Sequence, residues 1–198
     1  MKNLLVIGFI LAMVTSCSSA SEVREGEKDT KQITTSQNTE DYEANPSDIR
    51  RSYTGPAQHS TYTSDYTTTD PAIGLVWKTC SEGLSGADCS AGTALTLNWA
   101  DAKNKCNLLN TANVGAGYAG IKSWRLPNRQ ELETLIDYNK ENPSIDATAF
   151  PRTVTSDYWS STTYAPDTSY AWVVYFDYGA AKSNAKPGIY YTRCVSGP

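Results

Sequence analysis

The pattern of apolar and polar positions predicts a first helix that begins at Trp99. Asn98 can accept amide hydrogen bonds as the N-cap, and Asp101 places an acid in the first turn, where the helix dipole favours it. Cys106 lies on the apolar face of this helix and therefore points into the core. The residues that share this face are Trp99, Ala102, Cys106 and Leu109.

A second junction, SWRLPNRQELETLIDY at residues 123–138, predicts a strand that runs directly into a helix. Pro127 ends the strand 124–126, and Asn128 with Glu131 forms a variant of the capping box. Trp124 and Leu126 are expected in the core. The predicted buried face of the helix consists of Leu132, Leu135 and Ile136. Helix signals do not explain Arg125, for which we expect a buried salt bridge.

Sequence patterns typical of strands occur before and after these two helices. Residues 73–78 read IGLVWK, and three further strands are predicted at 158–163, 171–176 and 190–195. The strand at 171–176 is apolar on both faces, which is typical of a central strand. Residues 71–198 hold every tryptophan of the chain. Because about 130 residues can enclose one core, they are predicted to form one α+β domain.

The first residues, MKNLLVIGFILAMVTSC, have the pattern of an export signal. Their apolar run is too short to span a bilayer. The residues around Val14 to Cys17 resemble the bacterial lipobox, which implies a signal peptide at 1–16 and a mature N-terminus at Cys17 carrying acyl chains such as palmitate. Such chains anchor a protein to a membrane. Ser18, which is not aspartate, favours the outer membrane, with the domain facing the periplasm or the exterior.

Residues 17–70 are rich in Ser, Thr and acidic side chains and are predicted to be a disordered tether. This segment carries ten acidic and five basic residues, whereas residues 71–198 carry eleven of each. The net negative charge therefore belongs to the tether. A balanced domain offers no basic surface for nucleic acid.

Four cysteines remain after Cys17: Cys80, Cys89, Cys106 and Cys194. An even number in an exported chain indicates two disulfides, although three pairings are possible. Cys80 and Cys89 flank a short loop with two glycines and can close it, which leaves Cys106 with Cys194. The spacings are unlike the paired knuckles of a structural zinc site. No metal and no cofactor are expected.

Several motifs, taken in order, resemble the bacterial Lcl C-terminal domain family. They are GLVWKTCSEGLSGADCSAGTALTLNWADA, WRLPNRQELETLID, IDATAFP, YWSSTTYA, AWVVYFDYG and TRCV, and the resemblance covers residues 73–196. The resemblance implies a C-type-lectin-like fold, with two helices packed on antiparallel strands and a bridge from Cys106 to Cys194. WRLPNRQEL also resembles a motif of formylglycine-generating enzymes, which share the wider fold.

The resemblance implies adhesion, through a glycan or a matrix component, by a lipoprotein of the cell envelope. The balanced charge argues against a preference for sulfated ligands. Tryptophans such as Trp159 are expected in the core. The ligand candidates are therefore loop residues, namely Tyr164, Asp167, Tyr170 and Tyr178. The alternative function is a structural or assembly role in which the domain binds another envelope protein.

Catalysis is not expected. The only histidine, His59, lies in the predicted tether, so a Ser-His or Cys-His nucleophile is not available. A copper site of the formylglycine-generating type needs two cysteines near the C-terminal end of the domain. Only Cys194 lies in that region. Glu133 and Asp137 are predicted to form a solvated helix face rather than a catalytic pair. Asp167 alone cannot supply the oxygen ligands of a calcium-dependent sugar site.

Overall fold

A computed structural model describes residues 51–198 of the chain. The signal peptide predicted at residues 1–16, the acylated Cys17 and the tether as far as residue 50 lie outside the described residues. Between residues 51 and 198, no helix is long and apolar enough to cross a membrane.

The described residues form an α+β domain with two larger sheets and a two-stranded ribbon. The sheet orders are β1-β2-β3-β11 and β6-β10-β7-β8-β9, and the ribbon pairs β4 with β5. Neighbouring strands are antiparallel except β10 and β7. The bounds are β1 Thr54–Gln58, β2 Tyr66–Asp70, β3 Leu75–Lys78, β4 Leu84–Ser85, β5 Ala91–Gly92, β6 Thr96–Leu97, β7 Asp157–Thr163, β8 Tyr170–Tyr175, β9 Ala180–Ala185, β10 Tyr190–Tyr191 and β11 Val195–Ser196.

Strands β1 and β2 correct the predicted boundary between tether and domain, which was placed at residue 70. The Thr68 hydroxyl is buried and bonds the Thr79 hydroxyl and the Ala149 carbonyl, each at 2.9 Å. Tyr53 packs edge-on against the buried ring of Phe150. Threonine favours strands, and a buried polar side chain is tolerated when it is hydrogen-bonded. A core contribution from this polar segment was therefore missed.

Both predicted helices are present. Helix α1, Trp99–Leu108, begins at the predicted cap, where the Asn98 side chain accepts from the Asp101 amide. Helix α2, Arg129–Glu133, begins with the complete capping box of Asn128 and Glu131. Because α2 ends at Glu133, the prediction that Asp137 shares its face was wrong. Short helical turns join the two helices, at Leu109–Thr111, Ala112–Gly115 and Tyr118–Gly120.

Three further differences between the predicted and observed strands lie in the second half of the domain. The strand expected at 124–126 is an isolated bridge between Arg125 and Val195. The strand expected at 190–195 is divided into β10 and β11, which belong to different sheets. Strand β9 was not predicted, because its sequence AAKSNA lacks the β-branched and aromatic residues that usually mark strands.

The core lies in two large clusters on opposite faces of the second sheet. One cluster contains α2 residues and Tyr158 of β7, and the other contains α1 residues and Trp159. Trp77, Trp124 and Trp159 are buried as predicted, whereas Trp99 and Trp172 are only half-buried. Both predicted disulfides are present, Cys80 to Cys89 and Cys106 to Cys194. The second disulfide fastens α1 to the chain just before β11.

One cation of the domain, Arg193, is fully buried. Arg193 donates to the Thr79 carbonyl and to the hydroxyls of Thr153 and Ser81. Its guanidinium also lies 4.8 Å from the centre of the Phe150 ring. Burial lowers the pKa of Arg193. The hydrogen bonds of Arg193 therefore connect the segment after β10 to the loop that follows β3.

Candidate functional site

The predicted ligand residues fall at opposite ends of β8. Tyr164, Asp167 and Tyr170 lie in or beside the turn between β7 and β8, whereas Tyr178 lies in the turn between β8 and β9. A six-residue strand spans about 17 Å at roughly 3.4 Å per residue. The structure therefore does not bring the four residues together, and the two groups must be judged separately.

The first group, with Trp172 and Arg129 added, is called the hairpin end. Its turn is held by the Tyr164 amide, which donates to the Tyr170 carbonyl at 3.0 Å. The Asp167 carboxylate accepts from both the amide and the hydroxyl of Ser169, at 2.9 and 2.6 Å, and these bonds lower the pKa of Asp167. Asp167 thus closes the turn itself.

Two aromatic rings of the hairpin end, those of Trp172 and Tyr164, pack against neighbouring side chains. The Arg129 guanidinium lies 3.8 Å from the centre of the Trp172 ring, and the Tyr164 ring meets Trp172 edge-on at 5.4 Å. Arg129 is fixed in turn by Glu133, at 2.8 Å, and its amide donates to the Thr162 hydroxyl. A sugar that stacked on this face of Trp172 would have to displace the arginine.

Trp99 is covered in the same way. The ammonium groups of Lys103 and Lys186 lie 4.4 and 4.0 Å from the centre of its ring. The indole nitrogen of Trp99 donates to the Ser160 carbonyl at 2.8 Å. Each of the two half-buried tryptophans is therefore capped by a cation, which stabilises the ring and restricts access to it.

At the other end of β8, Tyr138, Tyr175 and Tyr178 form what we call the tyrosine patch. Tyr138 is 68% exposed and Tyr178 is 63% exposed. The rings of Tyr175 and Tyr178 meet edge-on, with centres 5.1 Å apart. Sequence reasoning missed Tyr138 and Tyr175, because one follows a helix pattern and the other ends an apolar strand.

The loop that carries Tyr138 is fixed beside the β8–β9 turn by backbone hydrogen bonds. The Asn142 amide donates to the Asp177 carbonyl at 2.9 Å, and the Ser144 amide donates to the Phe176 carbonyl at 2.7 Å. Gly179 permits this close approach, since a Cβ there would clash with a methyl carbon of Ile136. The φ of Gly179 is also +77°, which favours glycine.

Polar groups surround the patch. The Tyr175 hydroxyl donates to the Asp177 carboxylate at 3.1 Å, and this bond raises the pKa of Tyr175. The Lys182 ammonium lies 4.9 Å from the centre of the Tyr175 ring and 3.0 Å from the Asp157 carboxylate. The other carboxylate oxygen of Asp157 is buried without a partner among the described residues. The patch thus presents open aromatic faces beside hydrogen-bonding groups.

The residues that were predicted to stabilise the fold make hydrogen bonds or ion pairs within the domain. Arg125 forms a bidentate pair with Glu131, both contacts at 2.7 Å, but Arg125 is 36% exposed, so the expected burial was wrong. Burial alone would raise the pKa of Glu131, but the Arg125 bond and the Asn128 amide outweigh it and lower the pKa. The Trp159 indole donates to the Leu97 carbonyl.

His59 and the buried pair of Lys78 and Glu82 have partners within the domain. The Nδ1 atom of His59 accepts from the amides of Thr61 and Tyr62, and its ring stacks on Tyr62. The pair of Lys78 and Glu82 is buried next to the long-range disulfide, with the Cys194 sulfur 3.4 Å from Glu82. No cluster of three or more His, Cys, Asp or Glu side chains suited to a metal ion occurs in the described range 51–198.

Comparison with known proteins gives one family. The model of the Lcl C-terminal domain matches residues 66–196, well over half of the chain. The match begins at Tyr66, the first residue of β2, so it includes β2 but not β1. No curated protein matches the chain.

Proposed function

The chain belongs to the Lcl C-terminal domain family, and we propose that its folded part is a binding domain that takes an uncharged glycan on the tyrosine patch. We also infer a C-type-lectin-like arrangement, which the family resemblance implies and which the α+β fold with two disulfides supports. The domain acts by binding rather than by catalysis in this proposal.

The observation that carries the proposal is the exposure of Tyr138 and Tyr178. Tyrosine rings are amphipathic, and an apolar sugar face can stack on them while the hydroxyls of the sugar bond neighbouring polar groups. Asp177 and Lys182 provide such groups beside the rings. At the hairpin end, by contrast, Arg129 already occupies the place over Trp172.

The charge of the patch supports an uncharged ligand. Lys182 is paired with Asp157, and Lys140 is paired with Asp137 at 3.2 Å. Sulfated polysaccharides reward clustered cations that have no carboxylate partners. Around the patch the cations have such partners, so recognition would rest on stacking and hydrogen bonds.

A glycan array probed with the full chain tests this function. Tyr138→Ala and Tyr178→Ala should each weaken the strongest signal by about tenfold, the equivalent of 1.4 kcal/mol for one lost stacking contact. Tyr170→Ala is the matched control, because Tyr170 is also exposed but lies at the hairpin end. Blank arrays, with protein partners recovered by crosslinking in cells, would favour the alternative of an assembly module that binds an envelope protein.

We further propose that the chain is displayed as a lipoprotein of the cell envelope, with Cys17 as the acylated residue and the outer membrane as its location. The signal pattern and the lipobox resemblance support this. Cys17→Ala should release the chain from the membrane fraction. If the variant stays with the membranes, the lipid anchor is wrong, whatever the domain binds.

A further inference from the structure

The free edge of the second sheet differs from the other sheet edges among the described residues. Strand β1 has an irregular register between Thr54 and Ala57, next to Pro56, and β6 and β11 are only two residues long. Strand β9 has six residues and pairs with β8 in continuous register along its whole length. Proteins usually protect edge strands by bulges, prolines, short length or charged side chains such as lysine. Of these features, strand β9 has only Lys182.

The backbone groups that β9 directs outward follow from its ladder with β8. In an antiparallel pair, hydrogen-bonded and non-hydrogen-bonded residue pairs alternate. The Lys186 amide donates to the Ser169 carbonyl at 3.0 Å, and the Tyr170 carbonyl accepts from Tyr164 on the opposite side of β8. The alternation therefore directs the amide and carbonyl groups of Ala181 and Ser183 away from β8.

The side chains of β9 permit another strand to approach. Apart from Lys182 and Asn184, they are alanines and one serine. Lys182 is the charge that would repel a second copy, but its ammonium lies against Asp157 and Tyr175. Asn184 also reaches Asp157, at 3.4 Å. Among the described residues, the edge thus combines outward-directed backbone groups with small or neutralised side chains.

We propose that β9 pairs antiparallel with β9 of a second copy of this chain, around a twofold axis at Ser183. In this register the two Ser183 residues exchange backbone hydrogen bonds, and Ala181 lies opposite the partner's Ala185. Lys182 then faces the partner's Asn184. An axis at Lys182 would set two ammonium groups directly opposite each other, which destabilises a sheet pair.

The paired sheets form one continuous sheet with the faces of both copies aligned. A twofold axis between antiparallel strands is perpendicular to the sheet, so Tyr175 and Lys182 of both copies lie on the same side. Two tyrosine patches would then face one direction, and a ligand with repeated units could engage both. The pairing itself does not depend on what the patch binds.

Cysteine crosslinking in intact cells tests the register. Ser183→Cys in the full chain should give a disulfide-linked dimer on a non-reducing gel, because Cα atoms of a hydrogen-bonded pair lie about 5.5 Å apart. Ala181→Cys alone is the matched control and should give little dimer, whereas adding Ala185→Cys to it should restore the dimer. The unchanged chain controls for crosslinks through its own cysteines. A strong dimer with Lys182→Cys, or no dimer with Ser183→Cys, would overturn the proposal.

Sedimentation of the full chain tests the same edge without a new thiol. The unchanged chain should show a dimer that grows with concentration, and Ser183→Lys should be monomeric, because it sets two ammonium groups across the axis. Ser90→Lys adds the same charge at an exposed site away from β9 and should leave the dimer intact. An unchanged chain that stays monomeric at its highest soluble concentration would refute the pairing. Retention of glycan binding by Ser183→Lys separates this result from the proposed function.

Discussion

The two ends of strand β8 both carry aromatic residues, but they use them differently. At the hairpin end, Arg129 covers Trp172 and Tyr164 packs against its edge. At the tyrosine patch, Tyr138 and Tyr178 expose most of their rings. An aromatic residue in a loop is therefore not evidence for a ligand site by itself. At Trp172 the neighbouring cation covers the ring, whereas no cation lies over Tyr138 or Tyr178 among the described residues.

The cations at the two ends of β8 also differ in whether they cover the neighbouring aromatic rings. Arg129 starts α2 and is fixed by Glu133, so its guanidinium is positioned over Trp172. Lys182 is positioned by Asp157, and its ammonium lies over Tyr175 without covering Tyr178. We therefore expect substitutions at the hairpin end to change stability and substitutions at the patch to change binding.

The largest difference between the two ends is expected in the free energy of unfolding when Trp172 or Tyr178 is replaced by alanine. Trp172→Ala removes a half-buried indole and its cation contact, and it should lower the free energy of unfolding by about 2–3 kcal/mol. Tyr178→Ala removes an exposed ring and should lower it by less than about 0.5 kcal/mol. Urea unfolding followed by fluorescence measures both. Equal losses would mean that the two ends do not differ in the way described.

The next effect is expected for Arg129→Ala. Loss of the cation contact with Trp172 and of the half-exposed pair with Glu133 should destabilise the domain by about 1 kcal/mol. The change would also open the face of Trp172. If the variant gained glycan binding at the hairpin end, access rather than location would determine where the ligand binds. Lys103→Ala, which leaves Lys186 over Trp99, is a milder control at the other covered tryptophan.

The smallest expected effect is the loss of stability on replacement of Glu131, which should depend on pH. The pKa of Glu131 in the folded state is lowered below its ordinary value of 4.5, so its contribution to stability is complete above pH 4.5 and is lost as the pH falls through the folded-state pKa. Glu131→Gln should cost about 0.5 kcal/mol at pH 7, because Gln can still cap α2 but cannot pair with Arg125. Urea midpoints at pH 7 and pH 3 measure it. A cost that does not shrink at pH 3 would show that the charge of Glu131 is not responsible.

Local signals were sufficient for some features of the fold. The caps at Asn98 and Asn128 depend on residues within one helical turn, and both were predicted. The disulfide between Cys106 and Cys194 was predicted because the short loop accounts for the other two cysteines. Strand β2 was missed because its buried threonine is satisfied by residues distant in sequence, such as Ala149. Such partners become visible only in the folded chain.

The candidate site likewise depends on residues that are distant in sequence. Tyr178 was predicted as a ligand residue from its loop, but its neighbour Tyr138 comes from a segment about 40 residues earlier, which tertiary hydrogen bonds place there. Asp167 was grouped with Tyr178 because both lie in loops. The structure shows that Asp167 accepts from Ser169 and closes its own turn. A residue type predicts possible chemistry, and packing decides which residues act together.

The most direct test of the glycan proposal is an NMR titration of the isotope-labelled full chain with the glycan that gives the strongest array signal. The account predicts that the largest amide shift changes occur at residue 138 and at residues 175–182, with residues 164–172 almost unchanged. Shift changes centred on residues 164–172, or none in either region, would contradict the assignment of the tyrosine patch as the binding site.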